Sequence, residues 1–187
     1  MIEYASDPVR VGNVIIGGGN PIVVQTMCNT HTSDVGASFK QCMRLFQAGA
    51  QMIRLTVPSM AQVAHISEIR RRLREAGCDV PIVADVHFSS DIAIAVASEV
   101  DKVRINPGNF SKNFETAQFR FAELVRVCKT YGTAIRIGVN HGSLGERITE
   151  LYGNTAEGMK EAAMEWLRMC RENDFHNVVV SLKASNT

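Results

Sequence analysis

The stretch Val103-Arg104-Ile105-Asn106-Pro107-Gly108-Asn109 has a counterpart further along the chain in Ile135-Arg136-Ile137-Gly138-Val139-Asn140-His141-Gly142-Ser143. In each, a β-branched apolar run with one arginine inside it leads into a loop carrying asparagine and glycine. Near-continuous apolar runs of this kind read as parallel strands buried on both faces. Between the two, Phe121, Leu124, Val125 and Cys128 recur at helical spacing, and Gly132 ends the pattern. The repeating unit is therefore strand, glycine-bearing loop, helix, strand.

The same unit extends in both directions. Ile22–Gln25, Met52–Val57, Ile82–Val86, Lys102–Ile105, Ala134–Val139 and Val178–Leu182 predict six strands. Ser59 is a predicted N-cap for a helix with the stripe Val63, Ile66, Ile69 and Leu73, stopped by Gly77. Ser89-Ser90-Asp91 opens a short helix, and Trp166, Leu167, Met169 and Cys170 belong to another. Val9–Val11 and Val14–Ile16 flank Gly12-Asn13 and predict a hairpin that plugs the N-terminal end of a barrel. Gly17-Gly18-Gly19 precedes a strand rather than a helix, so it is no phosphate loop. Right-handed strand–helix–strand crossovers leave two architectures, an open doubly wound sheet and a (β/α)8 barrel. The last strand has no helix behind it, and a complete barrel takes about 250 residues. The expected fold is thus α/β, a truncated (β/α)8 TIM-type barrel of about six parallel strands with an N-terminal β-hairpin. Residues 1–187 are expected to form one incomplete barrel domain.

Composition narrows the function. Lys and Arg number 20 against 19 Asp and Glu, a net charge of +1, which lacks the basic excess of a nucleic-acid-binding face. Arg70-Arg71-Arg72 lies inside a helical pattern and reads as a solvated face. The five cysteines are scattered without a Cys-x-x-Cys, so neither a disulfide framework nor a zinc site is expected. Cys42, Cys128 and Cys170 fall in helical apolar patterns, as small core residues in a reducing, cytoplasmic compartment. Met1-Ile2-Glu3-Tyr4 lacks the pattern of a signal peptide, and no apolar stretch is long enough to span a bilayer.

The chemistry concentrates at the strand ends. Arg54, Arg104 and Arg136 each sit inside an apolar strand, and Lys183 follows Val178–Leu182. An unpaired charge in such a place is expensive. In a parallel barrel the strand C-termini meet at one mouth, so four cations from four strands converge there. Their repulsion calls for a counter-anion, and a multiply charged ligand is the expected one, because arginine forks match phosphate oxygens. Any one such arginine could instead close a strand end in a salt bridge; four in matching positions favour the anion site. Residues two apart share a strand face. Asp85 with His87, Arg104 with Asn106, Lys183 with Ser185, and Arg136 with Gly138 and Asn140 therefore form pore-facing lines. The loops Asn106-Pro107-Gly108-Asn109 and Asn140-His141-Gly142-Ser143-Leu144-Gly145 let backbone N–H groups approach an anion. Asp85 and His87 read as an acid/base pair, a clamp on substrate hydroxyls, two metal ligands without a third, or a capped loop with a packed histidine. His31 falls at the mouth, His65 on a helix surface and His176 at the far end of the last strand.

These segments match one family in order. Val24-Gln25-Thr26-Met27, Arg54-Leu55-Thr56-Val57-Pro58, Val83-Ala84-Asp85-Val86-His87-Phe88, Arg104-Ile105-Asn106-Pro107-Gly108-Asn109, Arg136-Ile137-Gly138-Val139-Asn140-His141-Gly142-Ser143-Leu144 and Val180-Ser181-Leu182-Lys183-Ala184-Ser185 resemble the 4-hydroxy-3-methylbut-2-enyl diphosphate synthases of the non-mevalonate isoprenoid pathway. The resemblance runs from about Arg10 to the last residue; Cys28 and His141 depart from it between motif residues. It implies an oxidoreductase that reductively opens 2-C-methyl-D-erythritol 2,4-cyclodiphosphate, with two electrons from flavodoxin or ferredoxin and loss of water. It further implies a homodimer and a [4Fe–4S] cluster, held by three cysteines and a glutamate of a C-terminal domain absent from this chain. No metal ligand is expected here, and the fragment is expected to be inactive alone. By motif, Arg54, Arg104, Arg136 and Lys183 would hold the cyclic diphosphate. Asn106, Asn140, Ser143 and Ser185 would add hydrogen bonds. Asp85 and His87 would stand near the hydroxyl-bearing carbons as the catalytic pair. Two other readings are a pterin-binding barrel of the dihydropteroate synthase type and a phosphate-ligand binding module without chemistry.

Overall fold

The structure is a computed structural model that describes residues 6–185. It opens with a two-stranded antiparallel hairpin, β1 (Val9–Val11) and β2 (Val14–Ile16). Six parallel strands follow: β3 (Gln25–Met27), β4 (Met52–Thr56), β5 (Ile82–Asp85), β6 (Lys102–Ile105), β7 (Ala134–Asn140) and β8 (Val178–Lys183). They are hydrogen-bonded in strict sequence order. A doubly wound sheet would reverse its order at a switch point. Sequential order keeps every crossover advancing the same way, which puts the helices on one side and leaves the other side as a pore.

Six helices cover the outer side: α1 (Val35–Gln47), α2 (Ala61–Glu75), α3 (Ser90–Val96), α4 (Phe114–Tyr131), α5 (Glu146–Tyr152) and α6 (Ala156–Glu172). Asp34, Ser89, Asn113 and Thr155 cap the starts of α1, α3, α4 and α6 by accepting backbone N–H bonds. The apolar stripes read from the sequence face inward: Ile66, Ile69 and Leu73 on α2, Phe121, Leu124, Val125 and Cys128 on α4, and Trp166, Met169 and Cys170 on α6.

Strand parity divides the apolar interior in two. Ile53, Leu55, Val103, Ile105, Ile135 and Ile137 point outward into the main core beneath the helices. The alternate residues Met52, Val83 and Ala134 point into the pore and pack against Val9 and Val11 of the hairpin. The hairpin therefore closes the N-terminal end of the barrel, as its sequence predicts. Asn177 fastens it, accepting from Arg10 N at 3.0 Å and donating to Arg10 O at 2.9 Å.

Two local expectations need correction. The first strand is Gln25–Met27, three residues later than the run Ile22–Gln25. Ile22 is 93% exposed; the ladder with β4 begins only where Gln25 pairs with Met52. Ser59 is not the cap of α2. The helix starts at Ala61 without a side-chain cap, and Gln62 Oε1 instead accepts the Ser59 N–H at 3.3 Å. The short helix α5, after the second glycine-bearing loop, has no apolar stripe long enough to announce it. On β8, Val180 and Leu182 are exposed, with no helix over them among the described residues.

Phe110, Phe121 and Trp166 meet edge to face, Trp166 standing 5.0 Å from each of the two phenyl rings. Phe121 is fully buried at the centre of this group. Phe121→Ala is expected to destabilise the fold by about 3–5 kcal/mol, read as a lower urea midpoint with an unchanged m-value.

Candidate anion-binding site

The pore-facing parity brings Arg54 from β4, Asp85 from β5 and Arg104 from β6 into one buried ion cluster. Asp85, whose side chain is fully buried, accepts from Arg54 Nη2 on one oxygen and from Arg104 Nη1 at 3.3 Å on the other. Arg104 also donates to the Gly138 carbonyl at 3.4 Å. The sequence reading asked a ligand to balance the convergent cations. The chain supplies one anion of its own, Asp85, spaced two residues from His87 on the same strand face.

One carboxylate does not neutralise the pore. Arg136 is the direct register neighbour of Arg104, so two like charges stand side by side. Arg136 has no carboxylate partner among the described residues; its Nε donates to Ser181 Oγ at 3.1 Å. Burial first, and the neighbouring arginines next, depress the pKa of Arg136. Burial is also the largest cause for Arg104, with Asp85 opposing it. Arg54 Nε is buried without a hydrogen-bond partner. His87 Nδ1 stands 3.6 Å from Asp85 Oδ1 at the half-exposed mouth. Burial holds its pKa below the usual 6.5, with Asp85 pulling the other way, so at neutral pH it presents an uncharged imidazole.

Lys102 lies one layer deeper, on the same face as Arg104 and Asn106. It is among the largest fully buried side chains, and no carboxylate faces it among the described residues. Its Nζ donates to Gln25 Oε1 at 3.1 Å and touches Met52 Sδ at 3.0 Å. Burial, then Arg136 and Arg54, push its pKa down to about 8. Sequence reasoning passed over Lys102 because it stands at the start of its strand. The signal was its parity with Arg104.

The two glycine-bearing loops meet at the rim. Asn106, buried, donates from Nδ2 to Ser143 Oγ at 2.9 Å and accepts the Gly108 N–H at 3.3 Å. A Cβ on Gly108 would lie 2.0 Å from the Ser143 carbonyl oxygen, so only glycine lets the loops close on each other. Gly138 serves the cluster in a similar way: its absent side chain leaves the space that Arg104 fills, and a Cβ there would lie 2.6 Å from Arg104 Nε. Asn140 pairs in register with Lys183. Lys183 and Ser185 are exposed on the rim, outside the ion cluster. His31 is exposed, His65 half-buried on α2, and His176 exposed beside Asp174.

Among the described residues no group of three or more His, Cys, Asp or Glu side chains is placed to hold a metal. All five cysteines are free and buried. Cys28 and Cys42 stand 3.6 Å apart, sulfur to sulfur, inside the core. These residues do not fit an iron–sulfur cluster. No helix of the described residues is long and apolar enough to cross a membrane.

The family pattern of the GcpE TIM-barrel domain matches residues 6–187. The chain is 44% identical to a 4-hydroxy-3-methylbut-2-en-1-yl diphosphate synthase (flavodoxin) of Parabacteroides distasonis, over 97% of this chain and 33% of that protein. It is 46% identical to a 4-hydroxy-3-methylbut-2-en-1-yl diphosphate synthase (ferredoxin) of a Synechococcus strain, over 95% of this chain and 49% of that protein. The chain thus spans a third to a half of the length of these curated relatives. Among solved structures it is similar to a truncated 3-deoxy-D-arabino-heptulosonate 7-phosphate synthase of Thermotoga maritima. That likeness has a TM-score of 0.60 at 14% identity, over 97% of this chain and 59% of that one. A dihydropteroate synthase of Xanthomonas albilineans gives a TM-score of 0.51 at 16% identity, over 94% of this chain and 77% of that one. At such identities the likeness is one of fold alone.

Two expectations follow from this geometry. Gly138→Ala should push the Arg104 guanidinium out of its seat beside the buried Asp85, so both the thermal midpoint and anion affinity should fall; calorimetry and thermal melts together check this. Lys102 loses its proton near pH 8 in the folded protein and near pH 10.5 in the unfolded chain. Between those values the unfolded state holds more protons, so stability rises with pH. Lys102→Met should therefore add on the order of 3 kcal/mol below pH 8, a gain that fades towards pH ~10.5. Urea unfolding at neutral and alkaline pH measures it.

Proposed function

The chain belongs to the GcpE TIM-barrel family, and from that premise we propose that it is the substrate-binding barrel of a 4-hydroxy-3-methylbut-2-enyl diphosphate synthase. Its ligand would be 2-C-methyl-D-erythritol 2,4-cyclodiphosphate. The observation that carries this reading is the excess of positive charge in the pore: the buried Arg104 and Lys102 and the half-buried Arg54 and Arg136 against Asp85, the one carboxylate there among the described residues. A polyanion seated there relieves the repulsion between Arg104 and Arg136 and gives the buried Arg54 Nε an acceptor.

In this reading Arg54, Arg104 and Arg136 hold the diphosphate from the pore, and Lys183 reaches it from the rim. Asn106 and Ser143, already joined to each other, turn their remaining hydrogen-bonding capacity to it, and Asn140 and Ser185 complete the ring. Asp85 orients two of the arginines by holding one on each oxygen. His87, uncharged at neutral pH, can accept or donate a hydrogen bond at a substrate hydroxyl, which makes it and Asp85 the pair nearest the reacting carbons.

The reaction is a two-electron ring opening with loss of water. Flavodoxin or ferredoxin is the electron donor by analogy with the relatives' names, and the protein acts as a cytoplasmic homodimer. The family resemblance implies a [4Fe–4S] cluster. Since the cysteines here do not fit one, its ligands belong outside this chain, and the chain's part is to bind and orient. Residues 1–187 alone are then expected to neither hold a cluster nor turn over substrate.

Each charge-assisted contact to phosphate is worth about 1.5–3 kcal/mol. In the protein as its gene encodes it, Arg136→Ala is therefore expected to weaken binding of the cyclic diphosphate roughly ten- to a hundred-fold or more. Arg136→Lys is expected to restore only part of that, because a point charge cannot reproduce the fork. Calorimetric titration reads both; unchanged affinity in Arg136→Ala would end this assignment.

A further inference from the structure

Beneath the guanidiniums the pore keeps a cation that diphosphate contact does not use. Lys102 is fully buried, and its hydrogen-bond partners, Gln25 and Met52, are neutral. The charged groups of the pore around it are Arg54 from β4, Asp85 from β5, Arg104 from its own strand and Arg136 from β7. Gln25 of β3 and Ser181 of β8 are neutral, and the hairpin adds only apolar residues. Asp85 is the sole carboxylate of the pore among the described residues, and both its oxygens are engaged by Arg54 and Arg104. No carboxylate among the described residues of the pore is therefore left to compensate the ammonium.

We propose that Lys102 is a positioning residue at the floor of the anion site, whose ammonium answers the negative charge bound above it, so that anion binding and Lys102 protonation reinforce each other. This deepens the diphosphate reading and rests on it. Residues two apart on a strand are separated by roughly 7 Å, so Lys102 lies one such step below the Arg104 layer. In a low-dielectric pore a unit charge at about 10 Å still changes affinity roughly tenfold. The depressed proton affinity of Lys102, caused by burial and by Arg136 and Arg54, agrees with this placement. A bound dianion offsets those arginines and raises it, while the effect of burial remains.

The test is calorimetric titration of the gene-encoded protein with the cyclic diphosphate at pH 9, in buffers of different ionisation enthalpy. The heats then report protons taken up per ligand. Each phosphorus of this ligand carries one strongly acidic hydroxyl, so the ligand itself does not titrate there. A tenfold coupling corresponds to uptake of about 0.4 proton per ligand at pH 9, which wild type is expected to show, and Lys102→Met and Lys102→Gln none. At pH 7 both variants should bind about tenfold more weakly, and the deficit should close towards pH ~10. Binding without proton uptake in wild type, or a deficit equal at both pH values as a mere packing defect would give, overturns the proposal. Failure of wild type to bind the cyclic diphosphate at all overturns the diphosphate reading instead. Sulfate, a dianion that does not titrate in this range either, then applies the same proton count to the bare anion site.

Discussion

The carboxylate of Asp85, held between Arg54 and Arg104 inside the barrel, is the interaction on which the site depends. Three guanidiniums and an ammonium converge from neighbouring strands, and bringing like charges out of water is costly. Asp85 binds two of the four and fixes their direction. The cations it leaves over, Arg136 and Lys102, have no carboxylate partner among the described residues, and this surplus of charge is what the proposed polyanion would answer.

The scaffold makes this possible through the two-residue period of its strands. On β4, β6 and β7 the same alternation sends isoleucine, leucine and valine outward to the helices and arginine inward. The hairpin covers the N-terminal end with Val9 and Val11, packed against Met52, Val83 and Ala134. Glycine adjusts the space: Gly138 gives Arg104 its volume, and Gly108 lets the two rim loops touch, which in turn brings Asn106 to Ser143. Packing and charge placement are thus one design read from two sides of the same strands.

Much of this was legible in the sequence, for a physical reason. Buried parallel strands announce themselves as apolar runs, and a lone arginine inside one is conspicuous because it is expensive; hence β4, β6 and β7 and their cations were read in place. The first strand was misplaced because its apolar residues precede its ladder: Ile22 is exposed, and the paired residues Gln25 and Thr26 carry no apolar signal. Ser59 misled because a serine before a helical stripe can equally stand one residue outside the cap, which here is Met60. The partnership of Asp85 with Arg54 and Arg104 was missed because strand parity reports which face a side chain lines, not which neighbour it meets across the pore. Lys102 was hidden for a similar reason, as a charge at the start of a strand usually belongs to solvent. The roles proposed for Asp85, His87, Asn140, Lys183 and Ser185 towards a ligand rest on the family motifs, since parity reports only the face each lines.

The most direct measurement is a crystal structure of the gene-encoded protein with the cyclic diphosphate, the two phosphorus atoms located by their anomalous scattering. Both are expected at the C-terminal mouth of the pore, within hydrogen-bond reach of the guanidiniums of Arg54, Arg104 and Arg136. Phosphorus seated elsewhere, for instance in the cleft beside Arg147 and Trp166 between α4 and α6, with those three guanidiniums untouched, would contradict it.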